Sequence, residues 1–555
     1  MKKNLVVSLS FLALASVYLL YWPDAEYVVD DWFHLDRYYQ GVGKSLGERL
    51  RILGLIFNNT IYGDVPIYVK QLYFVTNWIN CLLVWAFGYA PKVAFGVLLS
   101  VHWLNACLFE GLLRRLGAGR AAAFLAGATL LVIPTAHGPL FWPVNCAFFV
   151  WPTLWLLLYL RHAWGILERG RIGLKEGGIQ AVLVLVTLFS GSPAAFLLLL
   201  APAWMAWCFA GREKLRTAAA VTALNWALVA TAIGFYPPFS NKSKQADLPR
   251  YYFTRQQLAG NTEWLALRLE RLSGLTESSY YKLGDSTAAP LIGLTAGALV
   301  FLVARRLGPS SGTRSPARVA LFAAGMAVLA YLPLAVLWGA TLRHYYTFSP
   351  YLSLLLMTPL AALGGTRRRV WGPAAAALLG AYFTACTVAE IEQCWRPQSR
   401  HLQALKDGLR RLTNLSPGDL VLVPRAELIL GTAPHFALLG GPWDHLFAKS
   451  VTGVPDLKFW REIVVENGRL SLFHRGFMKP TDVSELERAH VLEGGPAGPF
   501  RPMRYWAEAA GPDSYRLRCL KDTPCKAPAG LARDAGESVY VPKPFDHSQP
   551  HRYQY

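Results

Sequence analysis

Apolar residues come in long blocks along this chain rather than in strict alternation. Runs of about 20 apolar residues are long enough to cross a bilayer core of about 30 Å as helices. Such runs, some shorter, cover 4–22, 92–113, 120–140, 144–160, 178–190, 194–210, 217–236, 289–304, 317–339, 347–364 and 370–389. The pattern predicts eleven spans. Ser190-Gly191-Ser192-Pro193 interrupts the apolar pattern, so 178–210 reads as a helical hairpin. Helical stretches are expected near 31–57 and 66–89, with an amphipathic run near 255–272. Beyond the last span the pattern shifts to turns, charges and strand-like runs such as Leu420-Val421-Leu422-Val423. The expected architecture is mainly α. About eleven transmembrane helices occupy domain 1–390, with interfacial helices in the first outer loop. Residues 391–555 form a soluble α/β-type domain of ordinary size.

Composition strengthens the membrane reading. The chain of 555 residues is 53% hydrophobic and 16% charged. Its net charge of +20 would suggest a nucleic-acid partner in a soluble protein. Here the charge is topological and no nucleic acid is expected. Lys2 and Lys3 precede the first span, which has no cleavage site behind it and reads as an anchor. Basic residues then recur in alternate connections: Arg114, Arg115 and Arg120; Arg161, Arg169, Arg171 and Lys175; Arg212, Lys214 and Arg216; Arg305, Arg306, Arg314 and Arg318; and Arg367 to Arg369. The short opposite turns, 137–143, 191–193 and 340–346, hold only Arg343. The positive-inside bias places the N-terminus in the cytoplasm of a plasma (inner) membrane protein and 391–555 outside. A span at 72–89 would invert every later loop. That segment therefore reads as a helix lying in the outer interface.

This topology gathers chemistry on the outer face. Asp30, Asp31 and His34 lie in the first outer loop, His137 at the next turn, and Arg343 and His344 at the last. A carboxylate can take a proton from a hydroxyl, and a guanidinium can neutralise a phosphate leaving group with its planar fork. Structural roles compete at each position. Asp31 could cap a helix starting at Trp32. Arg343 could anchor at the headgroups. The histidines could be satisfied interfacial residues, and His102, inside a span, could bond to a neighbouring helix. A divalent metal on Asp30, Asp31 and His34 is possible, although adjacent aspartates do not easily face one ion. Cys519 and Cys525 could close a small disulfide loop or remain thiols.

Several motifs follow one another in order. They are Asp30-Asp31-Trp32; Phe87-Gly88-Tyr89-Ala90-Pro91; His102-Trp103-Leu104-Asn105; Arg114-Arg115-Leu116-Gly117; Pro134 with His137; and Arg343 with Tyr345, Tyr346, Ser349 and Pro350. This order resembles the type-C (GT-C) polytopic glycosyltransferases, in particular their protein O-mannosyltransferase-like group, over about 5–390. The chain departs from that pattern at three places. Ser190-Gly191-Ser192-Pro193 stands where a Ser-Lys-Glu-like motif is expected. Ile67-Tyr68-Val69-Lys70 stands for an Arg-Pro pair, and Gly138-Pro139 for a threonine-glutamate.

The resemblance implies a sugar transferred, with inversion, from a polyprenyl-phosphate donor to an extracytoplasmic acceptor: a lipid-linked glycan, a cell-wall polymer or a protein. Asp30 or Asp31 would be the base. Arg343 would hold the donor phosphate, and His137, His344, His34 and Tyr346 would help bind substrate. No resident cofactor is implied with certainty. A lipid-linked glycan flippase would show polar residues at mid-membrane. A non-catalytic scaffold would tolerate loss of the acid pair.

Overall fold

The structure is a computed structural model. It describes residues 2–27, 30–57, 74–144, 147–190, 194–211, 214–235, 255–307, 315–335, 342–362, 371–412, 414–422 and 444–454. Beyond these it describes 457–460, 462–466, 469–474, 477–480, 490–493, 501–503, 505–511, 514–519, 533–534, 537–538 and 543–544. Two compact units emerge: Met1–Ala25 with Arg37–Gln393, and Glu26–Asp36 with Cys394–Tyr555.

Helices dominate the first unit. In chain order the helices are α1 (Lys2–Ala15), α2 (Asp30–Tyr39), α3 (Leu46–Phe57), α4 (Phe74–Phe87), α5 (Pro91–Arg115), α6 (Arg120–Val132), α7 (Pro134–Leu140), α8 (Ala147–Arg169), α9 (Leu174–Leu188), α10 (Ala194–Phe209) and α11 (Leu215–Phe235). They continue as α12 (Arg255–Arg271), α13 (Ala288–Leu307), α14 (Pro316–Ala335), α15 (Ser349–Ala362) and α16 (Trp371–Glu390). Helix occupies most of the described part of each predicted apolar run. Among the described residues, four helices are long and apolar enough to cross a membrane by length and composition: α5, α13, α14 and the one beginning at Trp371. Other apolar helices are shorter, such as the 13 residues of α6.

Proline explains one departure from expectation. The run 120–140 is not one helix, because Pro134 has no N–H to donate and forces Ile133 into an extended conformation (φ −70°, ψ 133°). The chain restarts as α7, with Pro134 in its first turn. The stretch 31–57 also divides. Residues 40–45 turn between α2 and α3, and Gly43 takes φ +73°, which a side chain would resist. Asp31 is not a cap: α2 begins at Asp30, so Asp31 lies inside the first turn.

Within the segment 72–89 the described helix is α4, Phe74–Phe87. Arg114, at the end of α5, donates to Asn4 Oδ1 near the start of α1 at 2.8 Å. The C-terminal end of α5 therefore lies beside the N-terminal end of α1. Helix α4 has 14 residues, about 21 Å of rise. Its polar side chains hold turns: Thr76 donates to Ser190 O at 2.8 Å and Asn80 to Val144 O at 3.2 Å.

Close packing between spans uses small residues. Gly293 and Gly297 of α13 face Ala377, Ala381 and Ala385 of α16, where a Cβ on Gly293 would come 2.6 Å from Ala381 O. Small residues let helix backbones approach where no hydrophobic effect drives them together. Pro202 inside α10 leaves the Leu198 carbonyl without its helical donor. Tyr159 Oη–H donates to it at 2.9 Å and Asn225 Nδ2–H at 2.8 Å.

In the second unit, α17 (Arg396–Arg410) and α18 (Asp444–Thr452) accompany short strands. The strands are β1 (Leu420–Leu422), β2 (Lys458–Trp460), β3 (Glu462–Glu466), β4 (Arg469–His474), β5 (Phe477–Pro480), β6 (His490–Glu493), β7 (Arg501–Met503), β8 (Tyr505–Gly511), β9 (Ser514–Cys519), β10 (Arg533–Asp534), β11 (Glu537–Ser538) and β12 (Lys543–Pro544). One sheet has the order β2-β1-β6-β7, with parallel pairs about β1, and another the order β12-β3-β4-β5. Pairing of Cys519 with Cys525 falls outside the described residues.

Candidate active site

The break at Pro134 shapes the first unit's site. A helix end leaves its last carbonyls without intrahelical donors, and Leu131 O is one of these. Two buried side chains satisfy it: Tyr18 Oη–H at 2.8 Å and His102 Nε2 at 3.2 Å. A carbonyl can only accept, so His102 Nε2 carries the proton. In the neutral ring Nδ1 must then accept. Its partner is the Tyr346 hydroxyl, 2.6 Å away. The Tyr346 oxygen in turn accepts from Asn105 Nδ2 at 3.2 Å, and that amide also donates to Val150 O at 3.1 Å. A single directed network thus joins α5, α6 and the segment after α14.

That segment is a 3₁₀ helix, Leu342–Thr347, which carries Arg343, His344 and Tyr346. It packs against α7, which carries His137, and against α8. Thr135 and Ser349 share a 2.7 Å hydrogen bond, and Thr153 lies 3.3 Å from the Thr347 hydroxyl. The His344 ring, half-buried, meets Phe149 edge-on at 4.9 Å between centroids. The structure therefore brings together the backbone segments of His137, Arg343 and His344. Tyr346 is fully buried, with its hydroxyl engaged by His102 and Asn105.

Asp30, Asp31 and His34 belong to the second unit. Asp30 opens α2. Asp31 is 0% exposed, and Leu35 and Tyr38, four and seven residues on, are buried with it. Successive helical residues are about 100° apart, so Asp30 and Asp31 occupy different faces. His34 is half-buried. Nearby, Lys406 of α17 pairs with Glu26 at 2.6 Å, with side chains 7% and 6% exposed. Glu26 also accepts from the Tyr27 N–H at 2.9 Å. The C-terminal end of α2 is held within the first unit, where the Tyr38 hydroxyl donates to Asn77 Oδ1 at 2.5 Å.

Sequence reading missed Tyr18, whose only signal is its place in an apolar run. It also passed over Glu390, a buried carboxylate at the end of α16. His102 bonds to a neighbouring helix, as its position in a span suggests. Among the described residues, no three His, Cys, Asp or Glu side chains gather as metal ligands would.

No family model matches the chain, and no curated protein matches it. Among solved structures it is similar to ArnT from Cupriavidus metallidurans bound to undecaprenyl phosphate. The identity is 16%, over 80% of this chain and 88% of that chain, and the TM-score is 0.34, too low to carry residue roles across.

Proposed function

We propose that this chain is an integral membrane glycosyltransferase that takes its sugar from a polyprenyl-phosphate donor. One observation carries the reading. The segment bearing Arg343 and His344 packs on the segment bearing His137, and a buried network anchors it through Tyr346. A cation on a fixed backbone suits a phosphate whose charge grows as it leaves. The motif order from Asp30-Asp31 to Arg343 supplies the reaction class.

In this mechanism the acceptor hydroxyl oxygen attacks the anomeric carbon as the bond from that carbon to the phosphate oxygen breaks. Configuration inverts. The hydroxyl proton goes to Asp30 or Asp31, and the electron pair leaves with the polyprenyl phosphate, held by Arg343. His137, His344 and His34 contact the substrates. Tyr346 positions the segment that Arg343 occupies. Residues 1–390 carry the chemistry, and 391–555 orient a glycan, cell-wall or protein acceptor outside the plasma membrane.

The test is sugar transfer in membranes from a host lacking the gene, with a panel of labelled polyprenyl-phosphate sugars, with and without divalent cations. Wild type should transfer one of them. Asp30→Asn or Asp31→Asn should lower turnover by about 10²–10⁴-fold, the usual loss of a general base. Full transfer by both variants would reject the acid pair, and no transfer from any donor would reject the reaction.

A further inference from the structure

The end of the first unit that carries the N-terminus holds a cavity of about 560 Å³ between α1, α5, α6 and α8. Asn4, Val7 and Ser8 form one wall, and the turn Gly117-Ala118-Gly119 forms another. Four guanidiniums line it, those of Arg114, Arg115, Arg120 and Arg161. Glu110 is the one carboxylate in the lining, 3.5 Å from Arg114. The balance is three positive charges in a space large enough for a lipid headgroup.

The backbone contributes to the same space. Helix α5 ends with the Ala118 N–H on Leu113 O at 2.9 Å and the Gly117 N–H on Arg114 O at 3.1 Å. Gly117 takes φ +90°, the left-handed conformation this closing turn demands. Two residues later Gly119 is the N-cap of α6 and supplies no side-chain cap, and both Gly119 and Arg120 line the cavity, so the positive end of the α6 dipole borders it. Gly111 of α5 also lines the cavity, with Arg161 Nη1 in ordinary contact distance of where its Cβ would stand. On the adjoining face of α1, Leu5, Leu9 and Leu12 are 60%, 54% and 53% exposed at helical spacing. That stripe is an apolar track beside a basic cavity.

We propose that this cavity binds the anionic phosphate of a membrane lipid headgroup, with the acyl chains lying along the Leu5–Leu9–Leu12 face. Topological arginines alone need only point at water. Here residues far apart in sequence converge on one walled space. Arg114 is also held in place by Asn4 at 2.8 Å as well as by Glu110. The charge bias puts this face in the cytoplasm, where anionic headgroups attract basic pockets between helices.

The experiment uses the full-length protein in detergent and reads thermal unfolding. Three additives are compared: phosphatidylglycerol, phosphatidylcholine and inorganic phosphate. Phosphatidylglycerol should raise the melting temperature of wild type, and the other two should not. The double variant Arg120→Gln/Arg161→Gln should need at least about tenfold more phosphatidylglycerol for the same rise. Arg120→Lys/Arg161→Lys should fall between them, because charge without the planar fork binds phosphate less well. Native mass spectrometry of wild type should also show phosphatidylglycerol retained over phosphatidylcholine, which tests the site even if a variant fails to fold. Equal effects of phosphatidylglycerol and phosphatidylcholine would overturn the proposal. So would an unchanged response in the Gln variant, or an equal effect of inorganic phosphate.

Discussion

His102 does two tasks that no apolar residue could share. It fills a carbonyl freed by Pro134 and orients the Tyr346 hydroxyl. His102→Phe should leave Leu131 O with one donor fewer and Tyr346 without its acceptor. Tyr18 still donates to Leu131 O, but the buried Tyr346 hydroxyl is left without an acceptor at a cost of about 1–3 kcal/mol, so the variant should melt below wild type. Tyr346→Phe removes one hydroxyl and should cost less. If Tyr346 positions the segment of Arg343, Tyr346→Phe should also lower transfer with kcat affected more than KM, whereas a purely structural role would leave kinetics intact. Arg343→Lys keeps the charge but loses bidentate geometry. Its turnover should fall by about 10²-fold. The motif His102-x-x-Asn105 was legible in the sequence, but its partners were not. Tyr18 and Leu131 O are set beside it by chain folding, with no local pattern to announce them.

Helix properties divide between local and contextual ones. Helix α3 shows a local rule. Ser45 and Glu48 cap it reciprocally, with the Ser45 N–H donating to Glu48 Oε2 at 3.1 Å and the Glu48 N–H to Ser45 Oγ at 3.3 Å. These bonds hold the Glu48 carboxyl below the usual carboxylate range. A depressed folded pKa adds stability above the unfolded value, lost as pH falls through the folded one. Amide exchange at the start of α3 should therefore quicken relative to the rest of the fold as pH drops below about 4, with no matching change in Glu48→Gln. Gly297 shows the contextual kind. A Cβ there would sit 2.8 Å from Ala377 O, so Gly297→Leu should separate α13 from α16 and lower the yield of folded protein in detergent. The glycine spacing is visible in sequence. Only the partner helix makes it a close contact.

Across the whole molecule, the second unit joins Glu26–Asp36 to the chain beyond Cys394. The buried pair of Glu26 and Lys406 is part of that union. Breaking a buried pair from one side leaves a charge without compensation and costs about 3–5 kcal/mol, while replacing both partners with apolar residues is often neutral. Glu26→Gln should thus destabilise more than the double change Glu26→Leu/Lys406→Met, as read by thermal unfolding. Since α2 begins four residues after Glu26, the single change should also weaken sugar transfer.

The sequence by itself determined the helical class, the positions of most helices, the amphipathic run at 255–272 and the β-strand at Leu420. Each follows from apolar run length, periodicity or proline placement, which act within a few residues. Tertiary structure alone decided that Thr76 and Asn80 of α4 meet Ser190 O and Val144 O, that Arg114 meets Asn4, and that Arg120 and Arg161 line one cavity. It also decided that the Leu131 carbonyl is shared by Tyr18 and His102. These outcomes depend on which helix ends meet. That is fixed by packing and by the need to satisfy buried polar groups across the whole chain, and neither is encoded in any one window of residues.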